Sequence, residues 1–192
     1  HLFCCEPHVS EQMFIADAAA ANHVFLTKFN CTLKSLVYPR NQEKFLHCLP
    51  DLGIDSYRAT EIGDSAESNT FLGNTFLKKG LRFSSSINPM LVRSTTYTPL
   101  FTRASLFLRL NLHPYLWSLH LARIRNELKN LGDGKCLHIW FHPHNLGADT
   151  DIKLKRVFEV IDLILSYRDH GSLEILSMSD INKKATAGKN LL

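Results

Sequence analysis

The sequence predicts an α/β fold with parallel strands. Segments with the apolar spacing of helices alternate with short strand-like segments along most of the chain, as in βα units. A chain of 192 residues with 45% hydrophobic content can build one sizeable core in a single domain. The formal net charge of +4 gives weak grounds for binding nucleic acid, and no apolar run is long enough for a membrane helix.

The first third of the chain predicts two helices and two strands. Ser10 suits the N-cap of a helix over 11–28. A strand over 33–38 follows, then a short helix over 42–49 and a strand over 54–58. The predicted buried stripe of the first helix consists of Phe14, Ala18, Ala21, Val24 and Phe25.

The middle of the chain is less regular. Residues 59–96 are rich in polar residues without a clear apolar period, which predicts a loop region with a short helix at 69–77. The helical signal returns around Leu112, where Pro114 suits the first turn of a longer helix, and Gly132 and Gly134 end this helix. Its apolar stripe consists of Leu116, Leu119, Ile124, Leu128 and Leu131.

The last third predicts a strand over 136–142, a helix over 150–167, a strand over 173–177 and a final short helix that Ser179 begins. The residues predicted to face inward on the helix over 150–167 are Leu154, Val157, Phe158, Ile161 and Leu165.

The strand over 136–142 is the most informative stretch, because it delivers imidazoles to a strand end. Its apolar residues Leu137, Ile139 and Phe141 alternate with His138, Trp140 and His142. The residues His142 and His144 flank a proline, and such a pair can bind a metal. The alternative is that one imidazole bonds the backbone while the other is exposed. A position at the carboxyl end of a strand favours a functional role.

A second polar group, Arg40-Asn41-Gln42, follows the predicted strand over 33–38. An arginine in this position can hold a carboxylate through a bidentate pair, and amides can hydrogen-bond sugar hydroxyls. The alternative is a solvated turn. The nucleophile elbow, the phosphate loop and the dinucleotide fingerprint are all absent from the sequence.

The five cysteines are odd in number and show no C-x-x-C spacing. This usage is typical of reduced thiols and favours a reducing compartment such as the cytoplasm. The chain begins at His1 without a signal-peptide pattern, so we expect that its start is cut.

These stretches together resemble the polysaccharide deacetylase family, which is carbohydrate esterase family four and shares the NodB homology domain. The resemblance covers 1–182 and leaves 183–192 as a polar tail. It rests on H-L-F-C-C-E-P at 1–7, L-V-Y-P-R-N-Q at 36–42, S-Y-R-A-T-E at 56–61, L-H-I-W-F-H-P-H-N-L at 137–146 and L-E-I-L-S-M-S-D-I at 173–181.

The resemblance implies a distorted (β/α) barrel that removes acetyl groups from N- or O-acetylated sugars of a glycan. In this family a divalent metal, commonly zinc, is held by an aspartate and two histidines, and a second aspartate acts as the base. A late histidine protonates the leaving amine. The implied partner is an acetylated saccharide; the oligomeric state stays open.

The family roles transfer to particular residues. His142 matches the general acid, Arg40 matches the arginine that orients the catalytic aspartate, and His1 matches the second metal histidine. The residues expected to contact the saccharide are Asn41, Trp140, His144 and Asn145.

The sequence also departs from the family. The T-F-D-D segment and the first metal histidine have no counterpart here, so the other metal ligands are expected upstream of His1. The chain would then be the C-terminal part of a deacetylase and inactive, or nearly so, by itself. The alternatives are a non-catalytic carbohydrate-binding remnant of the same fold and a structural α/β domain whose histidines satisfy their own hydrogen bonds.

Overall fold

The computed structural model describes eight ranges of the chain: 6–39, 43–59, 83–84, 87–90, 95–96, 100–103, 106–171 and 173–189. The chain divides into two compact units. The first unit consists of His1–Thr60, Tyr97–Arg103 and Leu176–Leu192, and the second consists of Glu61–Thr96 and Ala104–Ile175.

Helices and short strands alternate along the described ranges. The helices are α1 (Glu11–Phe29), α2 (Pro114–Lys129), α3 (Thr150–Asp169) and α4 (Met178–Lys189). The strands are β1 (Ser35–Val37), β2 (Ser56–Ala59), β3 (Thr95–Thr96), β4 (Leu100–Arg103), β5 (Leu106–Phe107), β6 (Lys135–Cys136) and β7 (Ile139–Trp140). Two 3₁₀ turns complete the list, at Leu46–Cys48 and Pro143–Leu146.

In the first unit, β1, β2 and β4 form a parallel sheet in that order, with Ser35 opposite Ser56 and Ser56 opposite Leu100. All four β2 residues are buried, as expected for a central parallel strand covered on both faces. Helix α4 packs on β2 and β4. The strands over 33–38 and 54–58 were predicted from the sequence and are confirmed as β1 and β2.

Helix α1 confirms its predicted start, but its buried stripe is narrower than predicted. Ser10 caps the helix, since its Oγ accepts a hydrogen bond from the Met13 N–H at 3.2 Å. Phe14 is buried in the first-unit core, whereas Val24 and Phe25 are exposed. The prediction was wrong for these two residues because the helix packs on the core mainly through its first turns. The other buried members of this core are Tyr38, Cys48, Leu49, Ile54, Tyr57 and Ala59.

The C-terminal region differs from the prediction in three ways. Residues 173–177 form no strand ladder, and the last helix begins after Ser177 rather than at Ser179. Ser177 Oγ accepts from the Asp180 N–H at 3.2 Å and donates to the Asp180 carboxylate at 2.7 Å. The bond from Ser177, followed by the contact with Lys183, lowers the pKa of Asp180. This reciprocal cap starts a helix that runs through most of the predicted tail.

In the second unit, β5 pairs with β7 in parallel and β3 pairs with β6 in antiparallel fashion. The strand predicted over 136–142 is therefore two short strands, β6 and β7. Helix α2 begins at Pro114, as predicted, and packs against α3. The buried residues of this second core are Leu106, Leu108, Leu110, Leu112, Trp117, Ile124, Leu128 and Val160.

The buried face of helix α3 matches the predicted one only in part: Val157 packs against the second core, as predicted. Phe158 and Ile161 are exposed, and the buried side chains are Lys153, Arg156 and Val160. The two cations are buried because they bond backbone carbonyls. Lys153 Nζ donates to Gly147 O at 2.6 Å, and Arg156 Nη1 donates to Leu110 O at 2.7 Å. The spacing of apolar residues along the sequence does not indicate that a lysine and an arginine of this helix form such hydrogen bonds.

Of the remaining predictions, some fall within the described ranges and others fall outside them. The short helix predicted over 42–49 is a 3₁₀ turn at Leu46–Cys48, and the helix predicted at 69–77 lies outside the described residues. Closure into a (β/α) barrel of the NodB type stays a prediction. Within the described ranges, every helix is too short or too polar to cross a membrane.

A buried ion pair anchors α2. Arg123 Nη2 donates to Glu127 Oε1 at 3.1 Å, and the two side chains are 1% and 0% exposed. Next to them, the His120 imidazole is fully buried and its Nε2 accepts from the Arg109 N–H at 3.3 Å. A buried charge is tolerated only when it is paired, so both members of the ion pair are required.

We therefore expect Arg123→Met to lower the free energy of unfolding by about 3–5 kcal/mol, since it leaves the Glu127 charge buried without this partner. The double variant Arg123→Met/Glu127→Leu should lower the free energy of unfolding clearly less, because it leaves no charge buried at this position. Arg125→Met, at an exposed position of the same helix, is the matched control. Urea denaturation gives the free energy of unfolding of the parent and of all three variants. Equal losses for Arg123→Met and Arg125→Met would contradict this account of α2.

Candidate functional site

Strand β7 places the predicted imidazoles in the second unit. It pairs with β5 so that Phe107 lies opposite Trp140. The Leu106 N–H donates to His138 O at 3.1 Å, and the Leu108 N–H donates to Trp140 O at 2.8 Å. These backbone bonds fix the register, and the register decides which side chains share a face.

The alternation predicted for 136–142 is confirmed on its apolar side. Leu137, Ile139 and Phe141 are partly buried and pack against the second core. On the other side, Trp140 is partly buried and His142 is exposed. The core therefore holds one face of this segment while the other face carries the polar and aromatic groups.

Aromatic and imidazole rings form a continuous row at the carboxyl ends of β5 and β7, which we call the ring cluster: Phe107, Trp140, His142 and His144. The Phe107 and Trp140 ring centroids are 4.7 Å apart, and the Trp140 and His142 rings meet edge to face at 5.3 Å. The rings of His142 and His144 stack at 4.9 Å with an interplanar angle of 14°. Both imidazoles are exposed, so a ligand can reach them from solvent.

The turn at Pro143–Leu146 orients the two histidines. The His142 N–H donates to Asn145 Oδ1 at 2.9 Å, and the Asn145 N–H donates to His142 O at 2.9 Å. Pro143 occupies the first position of the turn, where its missing N–H costs no hydrogen bond.

The loop after this turn is tied to α3. Thr150 Oγ1 donates to Leu146 O at 2.9 Å, and Lys153 Nζ donates to Gly147 O. The ring cluster is thus supported by a strand on one side and by the start of a helix on the other.

The predicted site residues fall into two groups. The structure brings together Trp140, His142, His144 and Asn145, the last as the residue that closes the turn. The other three predicted residues, His1, Arg40 and Asn41, lie outside the described residues. Their predicted roles as metal ligand, orienting arginine and saccharide contact stay predictions.

Two residues at this site, Phe107 and Arg109, were not predicted from the sequence. Phe107 belongs to the ring cluster, and the Arg109 guanidinium carbon lies 5.6 Å from the centroid of the Phe107 ring. The missed signal is the segment Leu-Phe-Leu-Arg-Leu at 106–110, whose leucines are all buried while Phe107 and Arg109 alternate with them. This period of two is typical of a half-buried strand.

A second group of donors, in the first unit, was not predicted at all. Glu11, His47 and Cys48 offer one donor atom each, and these atoms lie within 4.8 Å of one another. His47 Nε2 lies 2.9 Å from Glu11 Oε2. Burial, followed by the charge and hydrogen bond of Glu11 and the charge of Asp51, raises the pKa of the Cys48 thiol. Because 36 residues separate Glu11 from His47, no local motif reveals the group.

Searches against protein-family models, curated proteins and solved structures found no match to this chain.

We expect Asn145→Ala to lower the free energy of unfolding by about 1 kcal/mol, because it removes the acceptor for the His142 N–H. Asn145→Asp should lose less, since a carboxylate oxygen also accepts this bond. Asn111→Ala, at an exposed turn position of the same unit, is the control. Denaturation curves give the free energies, and histidine NMR signals report the His142 and His144 environments. Unchanged signals in Asn145→Ala would contradict the proposed role of this bond.

Proposed function

We propose that this chain carries the acid and saccharide-binding part of a metal-dependent deacetylase that acts on N- or O-acetylated sugars. One observation supports this proposal most strongly. His142 is exposed at the carboxyl end of a parallel strand, between the rings of Trp140 and His144. Catalytic groups of parallel α/β folds collect at this end of the strands.

The ring cluster suits a sugar because it combines flat apolar rings with polar ring nitrogens. Binding sites for small molecules are lined mostly by apolar and aromatic groups, with a few polar groups that fix orientation. Trp140 and Phe107 provide the ring faces and edges, while His142 and His144 provide nitrogens that can bond hydroxyl or acetamido groups. Arg109, over the Phe107 ring, adds a donor and a positive charge at this edge.

In the proposed reaction, His142 donates a proton to the sugar nitrogen or oxygen as the acetyl group leaves. The backbone bonds with Asn145 hold the turn that begins at His142, and the rings on either side restrict the imidazole. Exposure lets the imidazole exchange its proton with solvent between turnovers. In the family that the sequence resembles, a divalent metal polarises the acetyl carbonyl and activates water.

The described residues supply no set of metal ligands at the ring cluster. Among the described residues, neither His142 nor His144 belongs to a set of three histidine, cysteine or carboxylate donors close enough for one ion. The proposal therefore assigns His142 to proton transfer and His144 to the saccharide. It leaves metal binding to His1 and to the ligands expected upstream of it.

The alternative function is a non-catalytic carbohydrate-binding domain. It is favoured by one feature of the sequence, namely the lack of a counterpart to the T-F-D-D segment that supplies the base and a metal ligand. The ring cluster would bind a saccharide equally well in such a protein. Binding and acetate release therefore have to be measured separately.

Acetate release separates the two functions. The substrates are an oligomer of N-acetylglucosamine and an O-acetylated oligosaccharide, each assayed with and without a chelator. We expect chelator-sensitive release from the protein translated with any coding sequence that precedes the His1 codon, and little or none from residues 1–192 alone. His142→Ala should lower kcat of the active form by about 100-fold or more, whereas the exposed His23→Ala on α1 should not.

Each outcome has a defined meaning. Saccharide binding that depends on Trp140 and His142, without acetate release from any form, would support the carbohydrate-binding alternative. Acetate release that is unchanged in His142→Ala would contradict the acid role. No binding and no release would leave the structural α/β domain, in which His142→Ala alters stability alone.

A further inference from the structure

We infer that Glu11, His47 and Cys48 form a binding site for a single Zn²⁺ ion in the first unit. Their donor atoms already lie within 4.8 Å of one another. Among the described residues, no other three histidine, cysteine and carboxylate side chains are brought this close together. None of these three residues has a part in the proposed function, so this inference does not depend on it.

The donor set fits zinc in both type and spacing. Zn²⁺ accepts thiolate sulfur, imidazole nitrogen and carboxylate oxygen together, and three protein ligands leave a fourth position for water. Tetrahedral bond lengths place a nitrogen and an oxygen ligand about 3.4 Å apart, and a nitrogen and a sulfur ligand about 3.6 Å apart. The 2.9 Å separation of His47 Nε2 and Glu11 Oε2 therefore has to open only slightly.

The backbone holds two of the ligands before any ion binds. His47 and Cys48 lie in the turn at Leu46–Cys48, which is closed by bonds from the Cys48 N–H to Phe45 O at 3.1 Å and from the Leu49 N–H to Leu46 O at 3.2 Å. Phe45, which precedes the turn, has a φ of 58°. An aromatic residue rarely adopts this conformation, and such backbone strain is concentrated at functional sites.

The third ligand is held by the core. Glu11 is the first residue of α1, and the Phe14 ring of the same helix contacts the Phe45 ring at 5.7 Å between centroids. The first turn of α1 is thus fixed against the 46–48 turn, so binding an ion requires little ordering of the chain.

Charge and exposure also favour a cation here. Glu11 contributes a carboxylate to the group, and Asp51 follows Cys48 by three residues, in a chain whose net charge is +4. The side chains of His47 and Glu11 are 70% and 42% exposed, so an ion can enter from solvent, while Cys48 faces the core.

The test measures binding of Zn²⁺ by calorimetry and of Co²⁺ by absorption, using the full chain with Cys4 and Cys5 changed to serine. This background removes the thiols near His1 that could bind an ion themselves. We expect one ion per chain and a sulfur-to-cobalt charge-transfer band. Glu11→Gln, His47→Gln and Cys48→Ser should each weaken binding by at least about tenfold, and Cys48→Ser should abolish the band.

Two exposed residues of the same unit serve as controls: Cys31→Ser and His23→Gln should change neither affinity nor spectrum. Circular dichroism checks folding, and His47→Gln, at a largely exposed side chain, keeps the test valid if Cys48→Ser does not fold. Zn²⁺ should also protect the Cys48 peptide from alkylation in mass mapping. Equal affinity in His47→Gln and the parent, or no binding by the folded parent, would overturn the inference.

Discussion

The parallel pairing of β5 with β7 is the constraint on which the ring cluster depends. Two backbone hydrogen bonds fix a register in which Phe107 lies opposite Trp140. A slip of one residue in either strand would turn the aromatic residue of that strand toward the core and expose the apolar residues of that strand that now pack there. The turn at Pro143–Leu146 follows β7 and is closed by Asn145. Both imidazoles are exposed to solvent there. The positions of both imidazoles therefore depend on the pairing of β5 with β7.

Buried polar groups support this geometry from behind. Lys153 and Arg156 of α3 reach backbone carbonyls of the loop after β7 and of the chain that follows β5. Arg156 also lies 5.0 Å above the ring of Trp117, whose Nε1 donates to Glu159 at 2.7 Å, so α2 and α3 are joined by polar as well as apolar contacts. Polar groups in a core are stable when each is hydrogen-bonded, and satisfied networks favour one arrangement over others. These contacts link α3 to α2 and to the loop that follows the ring cluster.

Local chemistry explains which parts of the fold could be predicted from the sequence. The start of α1 at Ser10, the start of α2 at Pro114 and the alternation along β7 each depend on neighbouring residues, and each is confirmed. On α3, Phe158 and Ile161 were wrongly predicted to be buried, and the burial of Arg156 was not predicted because its acceptor, Leu110 O, lies 46 residues away in the sequence. The group of Glu11, His47 and Cys48 was missed for the same reason, since only tertiary packing brings α1 to the 46–48 turn. Three predicted site residues, His1, Arg40 and Asn41, lie outside the described residues, so their roles stay predictions.

The central claim is that the end of β7 binds an acetylated saccharide. Its most direct test is an NMR titration of the chain, labelled at histidine and tryptophan, with a short oligomer of N-acetylglucosamine. The account predicts saturable shifts at His142, His144 and the Trp140 indole, with the signals of His23 and His47 unchanged. Shifts confined to other histidines, or no shifts at saturating oligomer, would contradict it.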